Sequence, residues 1–334
     1  MSPTALAKVA IERERLEPGS FAAEVLAGLT AMPKRIPPKF FYDNAGSDLF
    51  EQITALPEYY PTRRELGILQ KNASAIAAVI PAGAALIEFG SGSSRKTRII
   101  LGAARNLAAY VPVDISAEFL DQQVDALRRE YPDIAMLPVA ADFGAAFDLP
   151  TEAASRPRAG FFPGSTIGNL EPVEACTFLR QAAQVLGAGA VFVIGVDLIK
   201  DEKILYKAYN DAAGVTARFN RNLLVRMNRE LGADFDVASF EHHAFFNREH
   251  NRIEMHLASS KRQRVSVCGA TITFRAGETI HTENSYKYTI ESFQALARGA
   301  GWSPLDVWTD AKKYFSVHVL ALKDVVPLRQ VNGH

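Results

Sequence analysis

The sequence predicts an α/β protein with a doubly wound, mostly parallel sheet and a second, α+β lobe. Residues 84–106 have the pattern of a strand, a glycine loop and a helix, and three consecutive predicted strands are each followed closely by a carboxylate, at Glu88, Asp114 and Asp142. Alternating strands and helices are typical of parallel sheets, in which ligands bind at the carboxyl ends of the strands. This alternation breaks between residues 197 and 286. We therefore expect a core of residues 64–197 and 287–334 and a substrate-binding lobe of residues 1–63 and 198–286.

Bulk composition favours a protein that acts on small molecules. The 334 residues are 48% hydrophobic and 22% charged, enough for a sizeable core, and the 37 Lys and Arg balance the 37 Asp and Glu. The chain therefore has no excess positive charge that would favour binding to nucleic acid or to an anionic membrane. Cys176 and Cys268 form no disulfide framework, no basic region followed by an apolar one opens the sequence, and no apolar stretch could span a bilayer. We expect a cytoplasmic monomer that binds neither nucleic acid nor membrane.

The first predicted strand and its loop indicate a nucleoside site. Glu88 closes the strand, Gly90, Ser91 and Gly92 form the turn, and Lys96 lies in the helix that follows. Glycines let a backbone approach a ligand closely, and a helix start offers unpaired N–H groups. A dinucleotide-binding turn needs a third glycine where this chain has arginine, and a phosphate loop needs a glycine directly before the lysine. The motif instead resembles the first motif of class I methyltransferases, which bind S-adenosylmethionine; an ordinary turn is the alternative.

The next two strands support the same site. Asp114 lies 22 residues past Gly92, where a carboxylate can accept hydrogen bonds from both ribose hydroxyls, although it could also cap the helix near Ser116. The third strand, 134–140, is followed by Asp142 and Phe143. This pair suits an adenine, since the carboxylate accepts from the amine and the ring offers a stacking face; a simple turn is the alternative. Together the strand ends predict a Rossmann-like class I methyltransferase core with S-adenosylmethionine as cofactor.

The remaining elements follow from apolar periodicity and from the positions of proline and glycine. Predicted helices occupy 21–29, 65–79, 174–186, 201–231 and 290–300, and predicted strands occupy 159–163, 190–196, 235–246, 252–258, 264–274, 302–309 and 314–322. Between them, residues 39–63 carry several aromatic side chains around what we interpret as a long loop. Aromatic packing beneath the loop and a lid that encloses ligand are equally weighted interpretations.

Several segments carry a more specific resemblance. They are Phe41-Tyr42-Asp43 with Gly46-Ser47 and Leu49-Phe50, then residues 56–63, 164–169, 214–216 and 282–285. These segments resemble the L-histidine N-alpha-methyltransferases of the ergothioneine pathway, and the similarity covers about residues 20–322. That family methylates the α-amine of histidine three times with S-adenosylmethionine, giving hercynine. The local sequence around Glu283 and Ser285 departs from the family pattern, which leaves fine specificity open.

The resemblance implies roles for individual residues. Asn169 and Tyr209 would hold the substrate carboxylate and orient its amine, and with Tyr42 they form the expected catalytic set. Glu283 and Ser285 would bind the imidazole. The other implied substrate-binding positions are Tyr59 as an aromatic wall beside Tyr42, Met255 in the imidazole pocket and Gly164 at the methyl-transfer site. On the cofactor side the matching positions are Gly90, Lys96, Asp114, Asp142 and Phe143.

This chemistry requires little beyond alignment. A sulfonium is already activated, so a neutral amine held in line with the methyl group needs no metal or covalent nucleophile, and the histidines lack a metal-ligand spacing. Glu283 and Ser285 could otherwise be an ordinary surface pair at i and i+2 of a strand. Two rival functions remain: methylation of another amino acid such as tryptophan, whose indole should not need Glu283, and non-catalytic binding of S-adenosylmethionine.

Overall fold

The computed structural model describes residue 17 and residues 19–92 and 94–322. It divides into two units. The core unit consists of Pro61–Ile199 and Lys287–His334, and the lobe unit of Met1–Tyr60 and Lys200–Tyr286. Ser93 of the glycine loop and the chain ends of the predicted domains lie outside the described residues.

The described helices and strands alternate through most of the chain. The α-helices are α1 Phe21–Thr30, α2 Asn44–Ala55, α3 Tyr60–Val79, α4 Arg95–Ala103, α5 Ala117–Glu130, α6 Thr151–Ala154, α7 Pro172–Leu186, α8 Glu202–Tyr209, α9 Val215–Leu231 and α10 Ile290–Gly299. The strands are β1 Lys34–Arg35, β2 Ala85–Phe89, β3 Ala109–Asp114, β4 Ala135–Met136, β5 Val139–Ala140, β6 Arg158–Phe162, β7 Val191–Asp197, β8 Phe240–Asn247, β9 Arg252–Ser259, β10 Gln263–Val267, β11 Ala270–Phe274, β12 Thr279–Tyr286, β13 Trp302–Thr309 and β14 Phe315–Leu322.

The core unit is built on an eight-stranded sheet in the order β13-β14-β7-β6-β2-β3-β4, with β5 also pairing with β3. Strands β2 to β7 pair in parallel, and β14 runs antiparallel to both β7 and β13. Every residue of β2 and β7 is buried, as expected for strands covered on both faces. The chain order reverses between β2 and β6, and ligands bind at the carboxyl ends of strands beside such a reversal. The predicted α/β fold class is confirmed.

The third predicted strand differs in detail. Instead of one strand over 134–140, the chain forms the two-residue strands β4 and β5 on either side of Leu137 and Pro138. Leu137 still donates its N–H to the Tyr110 carbonyl at 2.9 Å. Pro138 has no N–H to donate, so the hydrogen-bonded ladder is interrupted there.

The lobe unit contains a four-stranded sheet in the order β1-β12-β9-β8 and a separate β10–β11 hairpin. Strand β12 was not among the predicted elements. The prediction of one strand over 264–274 is wrong, because a two-residue turn divides it. Cys268 and Gly269 have φ of 48° and 78°, and positive φ at both central residues is the requirement of a tight hairpin turn.

The predicted long loop over residues 39–63 is also wrong, since most of it folds into a 3₁₀ helix, Pro38–Phe41, then α2 and the start of α3. Asp43 caps α2, accepting the Gly46 N–H at 2.7 Å. Gly46 is needed because a Cβ there would lie 1.8 Å from the Phe41 carbonyl oxygen. The sequence signal for this helix is Asp43, because Asp is a preferred N-cap residue. Asp, Asn and Gly are also common in turns, which favoured the loop interpretation. Among the described helices, none is long and apolar enough to cross a membrane.

Candidate active site

The glycine loop turns tightly over the ends of β2 and β3. Gly90 and Gly92 have φ of 74° and 42°, and the Gly90 N–H donates to the Val113 carbonyl at 2.8 Å. A Cβ on Gly90 would lie 3.3 Å from the Phe143 ring. The Ser91 hydroxyl is buried and has no hydrogen-bond partner among the described residues. A buried polar atom is normally satisfied, so this hydroxyl fits a site that receives a polar ligand.

Asp114 follows the glycine loop across the sheet at the end of β3. Its Oδ1 accepts the Ser116 N–H at 3.1 Å, a local bond that belongs to the helix-capping alternative. Burial raises the pKa of Asp114, while the backbone N–H groups of Ser116, Gly92, Ile115 and Ser91 lower it. The carboxylate therefore lies against both its own turn and the glycine loop, and its ribose role stays a prediction.

Phe143 lies beside the same loop. Its ring packs edge-on against Phe162 and Phe178, with centroids 5.5 and 5.8 Å away. Oδ1 of Asp142 accepts the Gly144 N–H at 2.8 Å, as the turn interpretation expects. The adenine-binding role of this pair stays a prediction, with Phe143 placed next to Gly90 by the contact described above.

Glu88 is buried inside the core unit. Its Oε2 accepts hydrogen bonds from the Thr97 hydroxyl at 2.7 Å and the Tyr110 hydroxyl at 2.5 Å. Burial raises the pKa of Glu88 to about 8, although both hydrogen bonds and Lys96 favour its ionised form. The side chain thus links β2, α4 and β3 beneath the glycine loop. Its partners are protein groups, and direct contact with a cofactor stays a prediction.

Glu65 is a functional candidate that sequence reasoning missed. Its buried carboxylate accepts the Gly164 N–H at 2.9 and 3.0 Å and pairs with Lys96 Nζ at 2.6 Å. One side chain of α3 therefore holds two predicted site positions, one for the cofactor and one beside the methyl-transfer site. The available signal was an acid in the apolar stripe of a helix, in line with Ile68 and Leu69.

The loop after β6 carries Gly164 and Asn169. Gly164 has φ of 85°, and Ser165, with φ of 59°, is a rare non-glycine residue in the left-handed region. The Ser165 hydroxyl accepts the Asp197 N–H at 2.9 Å, which anchors the loop to the end of β7. Asn169 ends the short 3₁₀ helix Thr166–Asn169 and is half-buried.

In the lobe unit, the predicted tyrosines form one chain of aromatic rings. Phe50 lies between Tyr42 and Tyr59, with centroids 5.7 and 6.3 Å away, and Tyr59 lies 6.4 Å from Tyr209. The Tyr209 hydroxyl donates to Ser285 Oγ at 2.6 Å. Phe219 packs on both Tyr42 and Phe50. Sequence reasoning included Phe50 among the aromatic side chains of residues 39–63 but missed Phe219 as part of this cluster.

A β-bulge brings the imidazole-binding candidates onto one face of the lobe sheet. His281 pairs with His256, but Glu283 pairs with Met255, so Thr282 is an extra residue in β12. Neighbouring residues of β9 face opposite sides, so Glu283 lies on the face of Met255, opposite to His281. Ser285 pairs with Ile253 and shares that face. The structure therefore brings together Glu283, Ser285 and Met255, with Tyr209 bonded to Ser285.

The opposite face carries a group that could suggest a metal. Potential ligand atoms of Glu254, His256 and His281 lie within 4.8 Å of one another. However, the two imidazole rings are stacked, with centroids 4.6 Å apart and planes 13° apart, so their lone pairs run alongside each other instead of converging on one ion. Arg252 Nε also occupies one oxygen of Glu254 at 2.8 Å. We assign no metal to this group.

Comparison with known proteins identifies the family of the chain. The model of a family described as histidine-specific, SAM-dependent methyltransferases matches residues 21–322. The chain is 44% identical over 308 residues to the histidine N-alpha-methyltransferase of Mycobacterium tuberculosis (strain CDC 1551 / Oshkosh), covering 89% of this chain and 94% of that protein. It is 46% identical over 296 residues to the enzyme of the same name from Mycolicibacterium smegmatis, covering 86% and 90%. Against ergothioneine biosynthesis protein 1 of Neurospora crassa it is 33% identical over 300 residues, covering 86% of this chain and 33% of that protein. The chain belongs to the family of histidine-specific, S-adenosylmethionine-dependent methyltransferases.

Proposed function

We propose that the protein transfers methyl groups from S-adenosylmethionine to the α-amine of L-histidine, three times in succession, to give hercynine for ergothioneine synthesis. The observation that carries this proposal is the bulge in β12, which places Glu283, Ser285 and Met255 on one face, with Ser285 bonded to the Tyr209 hydroxyl. An imidazole has one N–H donor and one nitrogen acceptor, and a carboxylate next to a hydroxyl complements both.

Glu283 and Ser285 would also discriminate against other amino acids. A ligand that lacks the ring N–H would not donate this hydrogen bond to the half-buried Glu283 carboxylate, and an unmade hydrogen bond of this kind costs about 1–3 kcal/mol. An indole has no second nitrogen for Ser285. This argument favours histidine over tryptophan as the substrate.

The core unit would hold the cofactor. The positions that we propose for it are Glu88, Gly90, Ser91, Gly92, Lys96, Asp114, Asp142 and Phe143. When bound, S-adenosylmethionine supplies a methyl group on a positively charged sulfur. Lys96 is placed by Glu65 and offers an ammonium for a carboxylate, while Ser91 offers its unpartnered hydroxyl.

Catalysis by the chain's own residues would be a matter of orientation. Asn169 and Tyr209 are proposed to hold the substrate carboxylate, with Gly164 beside the transferred methyl and Tyr42 near the amine. Alignment of a neutral amine can supply most of the rate gain in such a transfer. Tyr42 and Tyr59 offer aromatic faces to the growing methylammonium, and cation–π attraction favours it there.

We also propose that the core and lobe units are the cofactor-binding and substrate-binding parts, and that the enzyme is a cytoplasmic monomer.

The experiment that tests the proposal is calorimetric titration with L-histidine and L-tryptophan in the presence of S-adenosylhomocysteine. We expect histidine to bind and tryptophan to bind at least about tenfold more weakly. Preference for tryptophan would favour the rival amino-acid substrate, and binding of S-adenosylhomocysteine alone would favour a non-catalytic role.

Glu283→Gln should weaken histidine binding about tenfold or more, because the amide cannot match the charge-assisted bond to the ring N–H. Glu241→Gln, at an exposed position of the neighbouring strand β8, is the matched control and should bind histidine normally. Equal affinities of the Glu283→Gln and Glu241→Gln variants would contradict the assigned role of Glu283.

A further inference from the structure

We infer that Asn220, together with His242 and Thr282, is a positioning group that fixes the bulged segment of β12, which carries the proposed imidazole-binding residues Glu283 and Ser285. This inference rests on the proposed function and deepens it, because the family resemblance assigns no role to any of these three residues. None of them needs to touch substrate. They act through the residues that we propose to bind it.

Asn220 is a polar residue in the apolar stripe of α9. It is fully buried, in line with Leu223, Leu224 and Met227. Its Nδ2 donates to the His256 carbonyl at 3.0 Å and to His242 Nδ1 at 2.9 Å, and its Oδ1 accepts from the Thr282 hydroxyl at 2.8 Å. Both donor hydrogens and the acceptor of the amide are thus used, so the side chain can adopt one orientation.

His242 carries the network from Asn220 to Tyr209. Its Nε2 lies 2.9 Å from the Tyr209 carbonyl oxygen, which can only accept, so Nε2 bears the hydrogen and Nδ1 accepts from Asn220. Burial lowers the pKa of His242 and favours this neutral form. The ring therefore ties the end of α8, where Tyr209 lies, to α9.

Thr282 carries the network to the bulge. Its hydroxyl lies 2.8 Å from Asn220 Oδ1 and 3.0 Å from the Met255 carbonyl oxygen, so it holds the extra residue of β12 against both α9 and β9. Thr282 is the residue whose insertion turns Glu283 onto the face of Ser285 and Met255. The same three side chains thus hold the backbone on both sides of the Tyr209–Ser285 hydrogen bond.

The consequence is that histidine affinity should depend on hydroxyl and amide groups that do not contact the ligand. A bulge without its anchor can shift, and a shift of one residue in register moves side chains to the other face of a sheet. Looser placement of Glu283 and Ser285 weakens histidine binding. The cofactor residues that we propose lie in the core unit, so affinity for S-adenosylhomocysteine should stay the same.

The test compares Thr282→Val, which keeps the shape and removes the hydroxyl, with Thr282→Ser, which keeps the hydroxyl. Asn220→Ala is the companion variant. Asn228→Ala is the matched control, because Asn228 lies on the same helix and its amide bonds, among the described residues, just the Phe235 backbone, at 2.8 Å in both directions. Dissociation constants for L-histidine and for S-adenosylhomocysteine are measured by calorimetry, with thermal midpoints alongside.

We expect Thr282→Val and Asn220→Ala to weaken histidine binding about tenfold, with S-adenosylhomocysteine binding unchanged within about twofold. Thr282→Ser should bind histidine like the unaltered protein, and Asn228→Ala should lower only the thermal midpoint. If Asn220→Ala fails to fold, the Val and Ser variants at position 282 decide.

Histidine binding that is unchanged in Thr282→Val, or weakened equally in Asn228→Ala, would overturn the inference while leaving the proposed function standing. Failure of the unaltered protein to bind histidine would instead count against the proposed function itself.

Discussion

Glu88 shows that a buried acid can be identified from the sequence, whereas its protonation state cannot. Its position at the end of an apolar run marked the strand and the glycine loop. Its partners, Tyr110 and Thr97, lie 22 and 9 residues away and depend on how β3 and α4 pack on β2. Both donors bond the same carboxylate oxygen, Oε2. A pattern of residue types contains no information about such a protonation state, because burial determines it.

Glu88 should make folding stability depend on pH in a defined window. Its pKa is about 8 when folded and near the ordinary 4.5 when unfolded, so the unfolded chain loses its proton first as pH rises. Stability from this group is therefore fully present below about pH 4.5 and is lost as pH rises to about 8. Glu88→Gln mimics the protonated acid. We expect the difference in unfolding free energy between the two proteins to change by on the order of 3 kcal/mol between pH about 5 and pH about 8.

Calorimetric scans of both proteins across this window check the expectation. Contributions of other groups, including His318, whose pKa burial lowers to about 4, are common to both proteins and cancel in the difference. Parallel stability curves for the two proteins would contradict a protonated Glu88.

At the scale of elements, regular periodicity was predictable and departures from it were not. Most helices and strands of the core unit lie within a few residues of their predicted bounds, since alternating apolar runs and proline or glycine breaks are local signals. The bulge at Thr282 and the hairpin turn at Cys268 each depend on one residue. The bulge has the larger consequence for the site, because without it the Glu283 and Ser285 side chains would lie on the opposite face of the sheet from Met255.

Packing of α3 on β7 provides a test of the Glu65 assignment. A Cβ at Gly195 would lie 2.0 Å from Glu65 Oε1, so Gly195→Ala should displace the carboxylate from Gly164 and Lys96. A buried charge that loses its partners destabilises a protein by about 3–5 kcal/mol. We expect a lower thermal midpoint and weaker binding of S-adenosylhomocysteine.

Gly67→Ala is the matched control, since Gly67 lies on the same helix as Glu65 and a Cβ there meets open space. Alanine in a helix is about 0.8–1 kcal/mol more favourable than glycine, so this variant should be slightly stabilised and bind normally. Normal binding and stability of Gly195→Ala would show that Glu65 does not position the site.

At the scale of the whole molecule, the chain forms two units and passes between them twice more after α3 begins. The core-unit residues next to these two later connections are bonded to one another. Asp197 and Lys287 form a fully buried ion pair at 2.9 Å, and the Ile199 N–H donates to the Tyr288 carbonyl at 2.9 Å. No local pattern predicts this pair, because its members lie in segments ninety residues apart. Likewise, the aromatic chain from Tyr42 to Tyr209 joins distant segments that only the family resemblance connected.

The central claim is that this chain methylates the α-amine of histidine. The most direct measurement is mass spectrometry of the product formed from isotopically labelled L-histidine and S-adenosylmethionine by the purified protein, with fragmentation to locate the added groups. We expect histidine to gain three methyl groups, all on the α-nitrogen, and the imidazole to gain none. Unmodified histidine, or methyl groups on the ring, would contradict the account.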